Sequence, residues 1–126
     1  MGIPRKAYLH ILNTSTSKYH NKLVDLDGYK FASKKERLRY VILKDMASKG
    51  EITCLKIHPR YLLQEAFDKN GRHYRPIYYI ADFEYWDVKT KKIIVEDVKG
   101  FRKEKVFLLK QKLFEKIHPN LTIFII

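Results

Sequence analysis

The chain has 126 residues, 45% hydrophobic and 13% aromatic, enough for one buried core, too few for two independent ones, and unlike a disordered polypeptide. Lysine and arginine total 26 against 14 acids, a net charge of +12, so the expected partner is a polyanion, nucleic acid first. A single cysteine, Cys54, excludes an internal disulfide and a thiolate zinc cluster, and no apolar run approaches the roughly 20 residues that cross a bilayer.

The opening MGIPRKAYLHILN lacks the apolar stretch of a signal peptide, so a cytoplasmic protein without a membrane partner is expected. Residues 1–17 end in TSTS and read as an amino-terminal arm or short extra element, ahead of a single domain over 18–126. In LVDLDGYKF, residues 23–31, Asp27-Gly28 separates two strand-like runs and marks a two-residue hairpin turn. Ser33 then opens SKKERLRYVILKDMASKG, where Leu38, Val41, Ile42 and Met46 fall at helical spacing and Gly50 is a stop, predicting a helix over 34–49. EITCLKIHPRYLLQ is one bent strand or two short ones, interrupted by Pro59.

Asn70-Gly71 marks a second hairpin turn, and a β-rich run extends from Tyr74 to Trp86. After a turn at Lys89 to Lys91, a strand from Ile93 to Lys99 is expected to pair antiparallel with that run. Val106, Leu109, Leu113, Phe114 and Ile117 share a face of a last helix stopped by Pro119 and Asn120, and LTIFII makes a final buried strand. The order hairpin, helix, three strands, helix, strand predicts an α/β (α+β) fold with a mixed central sheet flanked by helices.

Asp82 in YIADFEYW and Asp97 in IIVEDVKGF each interrupt an apolar, β-favouring run. Burying an ionised carboxylate there is costly unless it is paired or binds a metal. Asp97 and Lys99, two apart on a strand, face one side of the sheet. The turn near residue 90 brings Asp82 opposite or diagonal to Asp97. Two such carboxylates suit a hard divalent cation, Mg2+ above all, which would polarise a phosphoryl oxygen and activate water. Lys99 would stabilise the developing charge or help deprotonate the water, and the sequence leaves both roles open. The same D-x-K spacing also fits a plain salt bridge.

Glu36 has two readings. Ser33-Lys34-Lys35-Glu36 is a capping box, in which Glu36 returns to the Ser33 amide; alternatively Glu36 is a further metal-site acid, and one conformation serves only one role. Glu96 faces away from Asp97 and suits an ion pair, while Glu84 shares the face of Asp82 as a secondary acid. The five histidines are scattered without metal-binding spacing on a helix, so they are expected at the surface. Tyr78, Tyr79, Phe83, Tyr85 and Trp86 are expected to pack rather than stack on bases. The expected phosphate contacts are Lys34 and Lys35 at the helix start, Arg72 and Arg75 near the Asn70 turn, and Arg102, Lys103 and Lys110 along the last helix.

FASKKERLRY, YIADFEY, VEDVKGF and the helix and strand that follow give residues 18–126 a pattern that resembles small phage Holliday junction resolvase-like endonucleases of the PD-(D/E)xK superfamily, related to phage endonuclease I and archaeal junction-cleaving enzymes. The resemblance implies a restriction-endonuclease-like core in the order helix, three strands, helix, strand. It also implies metal binding by Asp82, Asp97, Glu36 and the backbone carbonyl of Val98, a catalytic Lys99, Mg2+ with Mn2+ as a substitute, and 5′-phosphate products. Ala81 stands where the eponymous proline would be. The expected activity is hydrolysis of phosphodiesters in branched DNA, resolving four-way junctions by paired nicks from a C2 homodimer. The alternatives are a structure-selective or nonspecific nickase in phage replication or transposition, and a non-catalytic basic DNA-binding accessory protein whose acids only form salt bridges.

Overall fold

In the computed structural model, residues 24–99 and 104–126 are described; the expected arm over 1–17, the start of the domain at 18, Arg102 and Lys103 lie outside them. The first hairpin forms as its turn residues dictate: β1 (Val24–Leu26) and β2 (Tyr29–Phe31) are joined through Asp27 and Gly28, at φ 53° and 80°, the left-handed backbone that a type I′ turn requires. Asp27 then receives the Tyr40 hydroxyl at 2.9 Å and the Lys44 ammonium, tying the turn to helix α1 (Lys34–Ser48). These contacts hold the Asp27 carboxyl below its ordinary range, the Lys44 hydrogen bond contributing most. Ser33 caps α1 by accepting the Glu36 amide at 3.1 Å, and Gly50, at φ 75°, ends the turn that follows.

The buried side of α1 differs from the expected stripe. Tyr40 and Leu43 pack in the core and Glu36 and Arg37 are buried with them; of the four expected residues only Val41 is fully buried. The Tyr40 ring lies 5.1 Å from Phe31 and 6.5 Å from Phe83. A large ring whose hydroxyl has a partner outweighs the aliphatic stripe beside it.

A four-stranded mixed sheet has the order β10-β9-β8-β3. β3 (Ile52–Ile57) runs antiparallel to β8 (Phe83–Asp87), β8 antiparallel to β9 (Lys92–Asp97), and β9 parallel to β10 (Ile123–Ile125). Helix α2 (Lys105–Ile117) links the parallel pair. EITCLKIHPRYLLQ forms two strands, because His58 at φ 54° and then Pro59 break it; β4 (Arg60–Gln64) leaves the central sheet to pair with β7 (Ile77–Ile80). Asn70-Gly71 closes the hairpin of β5 (Phe67–Lys69) and β6 (Arg72–Tyr74), at φ 53° and 72°.

The run expected to be continuous from Tyr74 to Trp86 is broken twice. Pro76 follows β6, and at Ala81-Asp82 the chain passes from the β4–β7 pair into the central sheet. The backbone bonds change partner there: Ala81 N donates to Pro59 O and Asp82 N to Glu96 O, both at 3.0 Å. The strand expected to reach Lys99 stops at Asp97.

One core lies between α1 and the sheet, built from Phe31, Tyr40, Leu43, Ile52, Phe83 and Tyr85. Strand alternation puts the other, with Leu63, Tyr79, Val95, Phe107, Phe114 and Ile123, on the opposite face beneath α2. The inner face of α2 is not the expected one. Phe107 and Phe114 are buried, whereas Val106 and Leu109 are each 60% exposed, Ile117 is also exposed, and Leu113 is half-buried. Two apolar stripes compete on this helix, and the one holding both phenylalanines fills more space: Phe114 meets Tyr61 and Tyr79 edge-on at 5.0 and 5.6 Å. The last strand is an edge rather than a buried strand, with Ile123 inward and Phe124 outward.

This orientation is testable by urea unfolding at protein concentrations low enough to keep the chain monomeric: Phe114→Ala costs about 3–5 kcal/mol, whereas Leu109→Ala stays within about 0.5 kcal/mol. Equal losses would mean that α2 is turned the other way.

Candidate active site

The acids converge where β7 gives way to β8. Asp82 belongs to neither strand; its amide is held by Glu96 O, and its Oδ2 accepts the Val98 amide at 2.5 Å. The β8–β9 register ends with Phe83 opposite Glu96, and Asp82, one residue beyond it, donates its amide to that same Glu96 and feels the charge of Asp97. Val98, expected to offer its carbonyl, meets the acids through its N–H.

Glu36 reaches the same place from α1 and is only 4% exposed. Its Oε2 accepts the Ala32 amide at 3.0 Å, and its Oε1 lies 2.8 Å from His58 Nε2. The two oxygens of Glu36 are thus used separately in one conformation. One oxygen caps the helix, at Ala32 rather than at Ser33, while the other faces the acids. Glu36, His58 and Asp82 each present a ligand atom within 4.8 Å of the others. Two carboxylates and an imidazole this close fit a divalent cation, and without one the like charges favour a proton. The Asp82 carboxyl is accordingly pushed up to about 8, first by burial and then by the charge of Glu36, with Asp97 adding to it and the Val98 N–H opposing.

Asp97 is 3% exposed and doubly engaged: Oδ1 pairs with Lys99 Nζ at 2.9 Å, and Oδ2 accepts the Tyr79 hydroxyl. Burial, reinforced by that bond, pushes the Tyr79 hydroxyl up, so Tyr79 stays a donor. Lys99 Nζ also sits 3.8 Å from the centre of the Phe107 ring, and the Lys99 carbonyl accepts Lys35 Nζ at 2.9 Å. The ion pair that the D-x-K spacing allows is thus present. An open cleft of about 240 Å3 lies alongside, lined in part by Tyr78, Ile80, Asp97, Lys99, Val106 and Lys110.

Asp82 and Glu36 come together, as do Asp97 and Lys99, and the charge of Asp97 reaches Asp82. Glu96 turns to the α1 face, where Arg39 grips it with two bonds of 2.7 and 2.6 Å and Tyr85 donates a third. Glu84 is held by Tyr61 at 2.6 Å and Lys56 at 3.1 Å. Among the expected phosphate contacts, Lys35 borders the centre, Lys110 lines the cleft and Lys34 is exposed. Arg72 and Arg75 are exposed on or just after the β5–β6 hairpin, Arg72 lying 5.0 Å over the Tyr74 ring.

His58 and Tyr79 were not expected at the site. Register brings His58 in: Ile57 pairs with Phe83, and His58 N donates to Asp82 O at 3.0 Å. That pairing contains a shift between Thr53 and Lys56, which no local pattern reveals. For Tyr79 the only signal is its place three residues before Asp82.

The fold and centre define a mixed α+β domain with a central mixed sheet, a helix on each face, and a cluster of carboxylates, imidazole and lysine at one sheet end. The chain belongs to a family described as "Protein of unknown function (DUF1064)", whose model matches residues 16–126. No curated protein and no solved structure matches the chain. Among the described residues, no helix is long and apolar enough to cross a membrane.

The raised Asp82 carboxyl has a consequence for stability. A carboxyl whose folded pKa exceeds its unfolded value, about 3.8, holds its proton more tightly in the folded chain. Its contribution is therefore full below that value and is lost as pH rises through about 8. Thermal unfolding in EDTA should show a melting temperature that falls over this window. Asp82→Asn should flatten the fall and raise the melting point at pH 8, by roughly 4 °C for each kcal/mol of repulsion relieved. Parallel pH profiles for the two proteins would show that Asp82 is not under this pressure.

Proposed function

We propose that the chain is a metal-dependent endodeoxyribonuclease of the PD-(D/E)xK superfamily, acting on branched DNA and resolving four-way junctions by paired nicks. Its restriction-endonuclease-like core would be α1, then β3, β8 and β9, then α2 and β10. One observation carries the reading: Glu36 from α1 and Asp82 converge just beyond the end of the β8–β9 pairing, close enough to Asp97 for its charge to act on Asp82, and Lys99 is paired with Asp97. A net charge of +12 supports a polyanionic substrate.

Asp82, Asp97 and Glu36 would hold the cation, with the Val98 carbonyl as a further donor. A bound divalent cation, Mg2+ or Mn2+ in its place, supplies positive charge to the phosphoryl oxygens and acidifies water. Lys99, braced by Asp97 and the Phe107 ring, neutralises the charge that builds on the phosphoryl group. Tyr79, donating to Asp97, fixes that carboxylate. Lys35 and Lys110, bordering the site, steer the DNA backbone, and phosphate contacts of this kind read shape rather than base sequence. The setting would be phage recombination in a host cytoplasm.

A four-way junction has two-fold symmetry and needs two nicks, so the working form would be a C2 homodimer. The exposed stripe of Val106, Leu109 and Ile117 on α2 offers a second copy an apolar surface. Sedimentation should show a dimer that Leu109→Glu converts to monomer; an unchanged dimer would place the interface elsewhere.

Labelled four-way, flap and linear duplex DNA, each with and without Mg2+, test the activity. Cutting should need the cation and favour the four-way substrate. Asp97→Ala and Lys99→Ala should each lower the rate on the order of 10²–10³-fold while leaving junction binding largely intact. Equal rates on linear duplex would remove the junction substrate, and full activity in both variants would remove the site. Binding without any cutting would favour the accessory-protein reading, in which Lys99 and Asp97 form only an ion pair.

A further inference from the structure

The nuclease reading leaves His58 without a task, yet this residue is held with care. It adopts φ 54°, uncommon for a non-glycine residue, immediately before Pro59. Its amide is bound to Asp82 O at 3.0 Å, and its ring sits 5.8 Å from that of Phe31. The side chain remains 34% exposed. The backbone, the neighbouring ring and Glu36 thus aim Nε2 at the two acids. The separation of 2.8 Å between His58 Nε2 and Glu36 Oε1 is close to the distance between two ligands at right angles around one ion, about 3 Å for metal–ligand bonds of about 2.1 Å.

We infer that His58 Nε2, with Glu36 and Asp82, ligates a divalent transition-metal ion, and that this nitrogen makes the centre favour Mn2+ over Mg2+. The inference rests on the metal-dependent reading of the same site but goes further, since that reading uses carboxylates and a carbonyl. Mg2+ keeps to oxygen ligands in strict octahedral geometry, whereas imidazole suits Fe2+, Ni2+, Cu2+ and Zn2+ best, and Mn2+, the weakest binder of that series, shares the carboxylate preference of Mg2+ while still taking a nitrogen ligand. One nitrogen among carboxylates suits an ion that accepts both, and Mn2+ is the probe of choice because its electron spin reports a nitrogen ligand directly. The competing arrangement is an imidazolium in an ion pair with Glu36, in which Nε2 carries a proton and binds nothing else.

The test uses the full chain without DNA. Calorimetry with Mn2+ and with Mg2+ should give affinities that differ by roughly tenfold or more in favour of Mn2+. Pulsed electron paramagnetic resonance of the Mn2+ complex should show coupling to a 14N nucleus. His58→Gln should erase that coupling and weaken Mn2+ binding roughly tenfold while changing Mg2+ binding far less. Bound Mn2+ without nitrogen coupling, or no Mn2+ binding at all, overturns the inference on the wild-type protein alone, whether or not the variant folds. A nitrogen coupling that survives in folded His58→Gln overturns it as well. Failure of the nuclease reading looks different: nitrogen-coupled Mn2+ with no DNA cleavage leaves this inference standing and removes that one.

Discussion

Two carboxyl groups, those of Glu36 and Asp82, are held close together in a place that water reaches poorly, and much of the fold serves to keep them there. The contacts that hold them come from the amides of Ala32 and Val98 and from the His58 imidazole. Asp82 keeps its place because the backbone changes sheets at that point: Ala81 bonds back to Pro59, and Asp82 bonds forward to Glu96. A proline at position 81 would forfeit the first of those bonds, whereas Pro59 on the facing segment needs only its carbonyl for it.

The neighbouring acids show how differently one strand can treat two successive carboxylates. Glu96 and Asp97 are both buried, and alternation sends them to opposite faces. On the α1 face, Glu96 is fully matched by the forked Arg39 guanidinium and the Tyr85 hydroxyl, a geometry that makes a buried ion pair tolerable. Its hydrogen bond also raises the Arg39 pKa, so the pair holds α1 on the sheet. On the α2 face, Asp97 has Lys99, a single point charge that can turn toward a ligand, and Tyr79. The first arrangement is closed and structural, whereas the second opens on a cleft.

What could be read from the sequence was local. Asp27-Gly28 and Asn70-Gly71 announce their turns because few other residues tolerate positive φ in succession. Ser33 announces the helix start, and spacing alone puts Asp97 beside Lys99. The antiparallel pairing of β8 with β9 follows from one short turn near residue 90, so it too was legible, although the pairing ends at Phe83 and Glu96, one residue short of Asp82. What failed depended on contacts distant in sequence. Both helices carry more than one apolar stripe, and only the rings they meet, Phe83 for α1 and Tyr61 and Tyr79 for α2, decide which turns inward. The break at Ala81 reflects competition between two sheets for one β-prone run. His58 arrives through a strand pairing with a shifted register, in which Cys54 also takes positive φ, and a scattered histidine gives no warning of that.

The dual use of Glu36 links the start of α1 to the chemistry of the site. Because Oε2 is occupied by the Ala32 amide, the carboxylate cannot rotate freely, and Oε1 is left pointing at His58 and Asp82. The Ser33 hydroxyl, by accepting the Glu36 amide, fixes the first turn on which that carboxylate rides. A helix beginning one residue earlier or later would turn Glu36 by about 100° and carry its second oxygen away from the other donors. The cap is therefore part of the site. A residue whose sequence context explains it fully as a helix signal can still reach a second group of side chains, because a carboxylate has two oxygens and the helix start uses one.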